Sequence, residues 1–150
     1  MVTSFTSREL VRDELVALFT SNNSWQEVYG YFPSVNEVAN KTPFLVITSS
    51  GTIQSFGGME TNKVSYRFTL SSWVLAYSAS DNWTSANAED KLDDLDKVLR
   101  QVIRNNMGSL TYANLLRFDG GSEVRRVEFE NMPYLLEART LIADVIRGAI

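Results

Sequence analysis

Large apolar residues first fall into a helical rhythm at Val11, Leu15, Leu18 and Phe19, which share one face of a 3.6-residue repeat. Thr6-Ser7-Arg8-Glu9 has the form of a capping box, so the spacing predicts a short amphipathic helix from Thr6 to about Thr20. Ser21-Asn22-Asn23-Ser24 ends it, because these side chains compete for backbone hydrogen bonds in turns. Trp25, Val28, Tyr29, Tyr31 and Phe32 follow before Pro33, an aromatic segment expected to pack over the core or against a neighbour.

Residues 43–48 (Pro-Phe-Leu-Val-Ile-Thr) form a short continuous apolar run, the pattern of a strand buried on both faces or central in a sheet. Residues 49–62 contain Gly51, Gly57 and Gly58 with few apolar anchors, which predicts an exposed loop or hairpin tip. From Val64 the alternation is clean: Val64, Tyr66, Phe68 and Leu70 oppose Ser65, Arg67, Thr69 and Ser71. The phase then flips at Ser71-Ser72, after which Trp73, Leu75 and Tyr77 carry the large side chains. A bulge or bend near Ser71 would keep one face buried across the switch.

After a polar connector at residues 80–85 comes the longest helical pattern. Ala88, Leu92, Leu95, Leu99 and Val102 make one stripe, widened by Val98 and Ile103. Glu89, Asp90, Asp93, Asp94 and Asp96 precede Lys97, Arg100 and Arg104, an order that complements the helix dipole, and Gly108 is the expected terminator. Residues 110–118 read as strand or irregular, and Asp119-Gly120-Gly121 as a turn. Residues 123–130 alternate Val127 and Phe129 with charges. After Asn131-Met132-Pro133, Tyr134, Leu136, Ala138, Thr140 and Ile142 share a face, so these two segments are expected to be antiparallel neighbours. The prediction is one α+β domain over residues 1–150, an antiparallel or mixed sheet of about four or five strands with two helices packed on one face.

Composition changes this picture mainly by exclusion. With 44% hydrophobic and 21% charged residues in 150, the chain is of the globular kind, and its net charge of −4 argues against a dedicated binder of nucleic-acid phosphates. The chain has no Cys and no His, which removes thiol nucleophiles, thiolate metal sites and the commonest general base. The N-terminus has neither a basic start nor a continuous apolar run, so the chain reads as made and kept in a cytoplasm. The sequons at Asn22, Asn40 and Asn82 then read as chance.

Candidate chemistry is thin. Asp90, Asp93 and Asp94 could share a divalent cation, but on one straight helix they read better as its dipole-matched, solvated first half. The glycines of residues 49–62 match no phosphate-binding motif, and no histidine exists to activate Ser71 or Ser72. Arg117, Arg125 and Arg126 read as a solvated strand face. No catalytic, metal or cofactor site is expected, and the chain is not expected to be an enzyme. Trp25, Tyr29, Tyr31 and Phe32, with Trp83 in the connector, exceed what a small core comfortably absorbs; core or loop packing is the default reading, and a protein–protein contact is the alternative because exposed aromatics are enriched at interfaces.

Together, the N-terminal helix (residues 8–19), the buried strand at 43–48, the glycine-bearing loop, the SSWVLAYSA strand, the NAEDKLDDLD helix and the closing strands at 127–129 and 134–145 resemble the tail terminator, or tail completion, proteins of long-tailed bacteriophages. The likeness is one of order, length and texture over nearly the whole chain. It implies a structural virion protein of the tail or neck, made in the host cytoplasm. Such proteins assemble as a ring, a hexamer, that caps the tail tube, stops its polymerisation and provides the head-joining surface. The implied partners are further copies of the chain, the tail tube protein and a head–tail connector protein. DNA would pass through the lumen without specific binding, and no membrane is involved. On this reading the partner and subunit contacts fall on Trp25, Tyr29, Tyr31 and Phe32, on Trp83, and on the loop residues Ser49, Gly51, Ile53, Phe56, Gly57, Gly58 and Met59. The alternatives are another neck or tail component (connector adaptor, head–tail stopper or minor tail protein), a carboxylate-dependent hydrolase using Asp90 or Asp93, and a small intracellular adaptor.

Overall fold

A computed structural model describes residues 6–38, 42–56, 61–78 and 81–148. Along the chain lie α1 (Arg8–Thr20), β1 (Glu27–Tyr29), α2 (Val35–Val38), β2 (Phe44–Phe56), β3 (Thr61–Leu75), α3 (Ser85–Asn105), β4 (Leu115–Phe129) and β5 (Met132–Gly148). The strands form one five-stranded mixed sheet in the order β1-β2-β3-β5-β4. Only β1 runs parallel to its neighbour, and the other pairs are antiparallel. This is the expected α+β domain, with β1 and the one-turn helix α2 as additions that the apolar pattern did not announce.

Both long helices lie on one face. Helix α1 buries Val11, Leu15 and Phe19, and its cap is Ser7 rather than Thr6: the Ser7 hydroxyl accepts from the Leu10 N–H at 3.2 Å. The Thr6 carbonyl is taken instead by the Tyr66 hydroxyl, at 2.6 Å. Helix α3 is capped by Thr84, whose hydroxyl accepts from the Asn87 N–H, and buries Ala88, Leu92, Leu95, Leu99, Val102 and Ile103. It stops at Asn105, short of Gly108. Asn106 ends it by donating its backbone N–H to the Ile103 carbonyl and its side-chain amide to the Val102 carbonyl.

The phase flip in β3 has a different cause from the bulge expected near Ser71. Pairing runs unbroken there: Ser71 faces Val46 and Ala138, and Ser72 faces Leu45 and Glu137. Val64, Tyr66, Phe68, Leu70 and Val74 point to α1 and α3, and Ser72 shares that face. Trp73 and Leu75 belong to a second cluster on the opposite face with Tyr29, Val38, Phe44, Val46, Tyr134 and Leu136. The sheet is therefore buried on both faces at this end, and alternation exchanges one apolar set for another.

Residues 49–62 are mostly strand rather than loop. β2 continues to Phe56, which pairs with Asn62, so Ser49, Gly51, Ile53 and Phe56 all belong to a hairpin whose tip lies outside the described residues. Ladder hydrogen bonds satisfy the backbone of this polar stretch without apolar anchors. A register shift between Ser49 and Gly51 hid its alternation, and Gly51 sits at φ 155°, a conformation that side chains disfavour. Asp119-Gly120-Gly121 is likewise no turn. It is an irregularity inside a continuous β4, with Gly120 at φ 75°. The true reversal is at Glu130 and Asn131, both at positive φ (52° and 67°), the requirement of a tight turn whose twist matches its strands.

Candidate partner-contact surface

The aromatic residues divide by depth. Trp25 is only 5% exposed, lying edge-on to Phe19 at 5.5 Å and donating its indole N–H to the Ser72 hydroxyl at 3.1 Å. Tyr29 is 6% exposed, with its hydroxyl donating to the Glu37 carbonyl at 3.0 Å. Burial pushes the Tyr29 phenol above its ordinary pKa, and the nearby Glu27 and Glu37 carboxylates add to this. Trp83 is half-buried, and its N–H donates to the Leu75 carbonyl at 2.6 Å. Within the single chain these three are therefore occupied, whereas Tyr31 and Phe32 remain 55% and 54% exposed. Phe32 nevertheless rests edge-on against Trp73 and Phe129, at 5.7 and 5.5 Å.

These two aromatics crown the cluster on the face away from the long helices, where Phe44, Trp73, Phe129 and Tyr134 also meet. Burial raises the Tyr134 phenol too. Of the other expected contacts, Ser49 accepts from the Arg12 guanidinium at 2.9 Å and so helps to tie β2 to α1. Ile53 is 47% exposed on the hairpin arm. Gly57, Gly58 and Met59 lie outside the described residues, as does the side chain of Phe56.

Of the remaining candidates for chemistry, the serines and arginines have structural partners, and Asp90, Asp93 and Asp94 of α3 have none among the described residues. Ser71 and Ser72 each accept from an indole, Ser71 from Trp73 at 3.1 Å and Ser72 from Trp25. Asp90, Asp93 and Asp94 stand exposed on α3, and no group of three or more potential ligands is placed to hold a metal among the described residues. Arg117 binds Asp144, Arg125 lies 3.6 Å from Glu123, and Arg126 reaches Ser85 at the start of α3.

One polar centre escaped the sequence reading. Asp144 is 2% exposed on β5, where it accepts from the Ser65 hydroxyl at 2.6 Å and from the Arg117 guanidinium at 3.1 Å, with the Lys63 ammonium at 3.6 Å. Burial alone would raise its carboxyl, but the Ser65 and Arg117 hydrogen bonds and the two positive charges outweigh it and hold the group below the ordinary carboxylate value. The signal was present: a single carboxylate inside the otherwise apolar run Leu141-Ile142-Ala143-Asp144-Val145-Ile146. Its counter-charges lie on other strands, so spacing could not supply them.

The sheet edges complete the surface. β4 is an edge strand with exposed side chains from Ser122 to Arg126, and Val124 among them is 50% exposed. At the other edge β1 covers β2 only from Phe44 to Val46, leaving the outer side of its remaining length without a strand partner among the described residues. Compared with known proteins, the chain matches no family model and no curated protein sequence.

Proposed function

We propose that this chain is a structural protein of a phage tail or neck, a ring-forming terminator that caps the tail tube and offers the head-joining surface. The observation that carries the reading is the pair of unlike open sheet edges, a long exposed β4 on one side and the uncovered length of β2 on the other. Two different surfaces on one subunit suit head-to-tail contacts that close by rotation, the geometry of a cyclic ring. The exposed Tyr31 and Phe32 supply apolar surface for a neighbour or a tube subunit. The sequence resemblance supplies the rest: order, length and texture along nearly the whole chain.

The test combines light scattering of the purified chain with electron microscopy of tail tube protein polymerising in its presence. A ring, or a monomer that becomes a ring on tube ends and limits tube length, supports the proposal. A monomer that neither binds tubes nor alters their length would sink it.

A further inference from the structure

We propose that the trough between the second half of α3 and the edge strand β4 is a docking site for an acidic, apolar segment of another polypeptide. A cleft of about 290 Å³ opens there over Ile103, Met107, Leu116 and Phe118. Ile103 and Leu116 are core residues at its base, while Met107 is 44% exposed at its mouth. The rim is cationic. Arg100, Arg104 and Arg117 line it, Arg117 already paired with Asp144, and beyond Asp96 α3 carries no carboxylate, within a chain of net charge −4. Asp96 is shared between Arg100 at 3.0 Å and Arg139 at 3.1 Å, so it cannot neutralise both. Arg104 has no ion-pair partner among the described residues.

Cations near a helix C-terminus complement its dipole, which accounts for their sign. It does not account for an open apolar trough beside them. The backbone of β4 adds a third kind of contact: Leu116 donates its N–H to the Met107 carbonyl at 2.9 Å, and past it the outward side of the strand has no strand partner among the described residues. An incoming segment could therefore bury apolar side chains, pair carboxylates with Arg100 and Arg104, and meet an open strand edge.

A second copy of this chain is the poorer occupant: its most acidic stretch is the first half of α3, where Leu92 and Leu95 are 2% and 1% exposed and cannot be offered elsewhere. Nucleic acid fits poorly too, because an apolar floor gives phosphates nothing and so few cations release few counterions.

A displayed library of random dodecamer peptides, panned against the full chain, tests this. The inference expects selected peptides rich in Asp or Glu and in apolar residues, perturbing the Ile103 and Leu116 methyl resonances. Their affinity, measured by fluorescence anisotropy, should fall about tenfold or more in Arg100→Glu/Arg104→Glu, fall in Met107→Asp, and weaken with salt. Circular dichroism checks that both variants, altered at exposed positions, remain folded. A library that yields no binder, peptides that bind the charge-reversed variant equally well, or displacement of the peptides by duplex DNA or by self-association would each overturn it. Ring formation is a separate readout: subunit contacts along Ser122 to Arg126 of β4 leave the trough at Leu116 and Phe118 free, whereas a ring whose contacts fill the trough overturns this inference and leaves the ring reading standing.

Discussion

Phe44 and Trp73 stack face to face across β2 and β3, ring centroids 5.6 Å apart and planes 12° apart, on the side of the sheet away from α1 and α3. Tyr134 and Phe129 close on Trp73 edge-on, so a second core exists where an ordinary two-layer domain would show solvent. Trp73→Ala is expected to cost about 3–5 kcal/mol, the range for emptying a large buried aromatic site. Urea unfolding measures it. A loss below about 1 kcal/mol would mean that this face contributes little to the fold.

The Trp25 indole and the Ser72 hydroxyl meet inside the helix-side core. Trp25→Phe keeps much of the ring but leaves a buried hydroxyl without its donor, for an expected loss of about 1–3 kcal/mol. Adding Ser72→Ala should recover part of that loss, because both polar partners are then gone. A double-mutant cycle in which the two losses simply add would contradict the coupling.

Asp144 makes stability depend on pH in a definite direction. Its carboxyl is held below its ordinary value in the folded state, whereas an unfolded chain returns it to about 3.9. The contribution is therefore fully present above about pH 4 and is lost as pH falls through the lower folded value. Asp144→Asn should be less stable than the parent chain near neutrality, with the gap narrowing as pH drops below about 4. Denaturation midpoints across that window check it, and a gap of constant size would count against the role of the charge.

Gly120, at φ 75°, permits the irregularity that keeps β4 continuous, and an added Cβ there meets nothing within 4 Å. The cost of Gly120→Ala is thus expected to be conformational alone, about 1–2 kcal/mol. Thermal unfolding of the variant measures it. An unchanged midpoint would show that the backbone there relaxes without penalty.

Tyr31 and Phe32 separate folding from assembly. The pair is more than half exposed, so Tyr31→Ser/Phe32→Ser should cost about 1–3 kcal/mol, chiefly the lost edge contacts of Phe32 on Trp73 and Phe129 and of Tyr31 on Tyr29. If these residues meet a neighbour, tube capping or ring formation should weaken far more than stability does. Sedimentation and tube-length distributions, compared with the parent chain, give the answer.

Local patterns made the helices legible. Every stripe residue expected at Ala88, Leu92, Leu95, Leu99 and Val102 is buried, because one face of α3 meets one core. The strands were harder for reasons that α3 does not share. In β3, two cores on opposite faces turned one alternation into two, which imitates a bulge. In β2, an actual shift of register at Ser49 and Gly51 erased the alternation, and a polar strand read as a loop. For the candidate surface, aromatic type was visible but depth was not. Trp25 and Tyr31 look alike in sequence, and only the sheet and α1 decide that one is 5% and the other 55% exposed. The Asp144 centre joins residues from β3, β4 and β5, a meeting that no spacing along one segment encodes.

The two register shifts sit in strands on either flank of the β3–β5 pair, one opposite Phe68 and Arg67 and the other opposite Thr140 and Arg139. Since Phe68 pairs with Leu141, both fall at nearly the same height along the sheet. Each bends its strand and sharpens the local twist. Two of them level with one another place the bends of β2 and β4 on one line across the sheet. The curvature of the surface that any neighbour must match is thus set by a few backbone residues at Gly51 and Gly120 rather than by the side chains that would touch it.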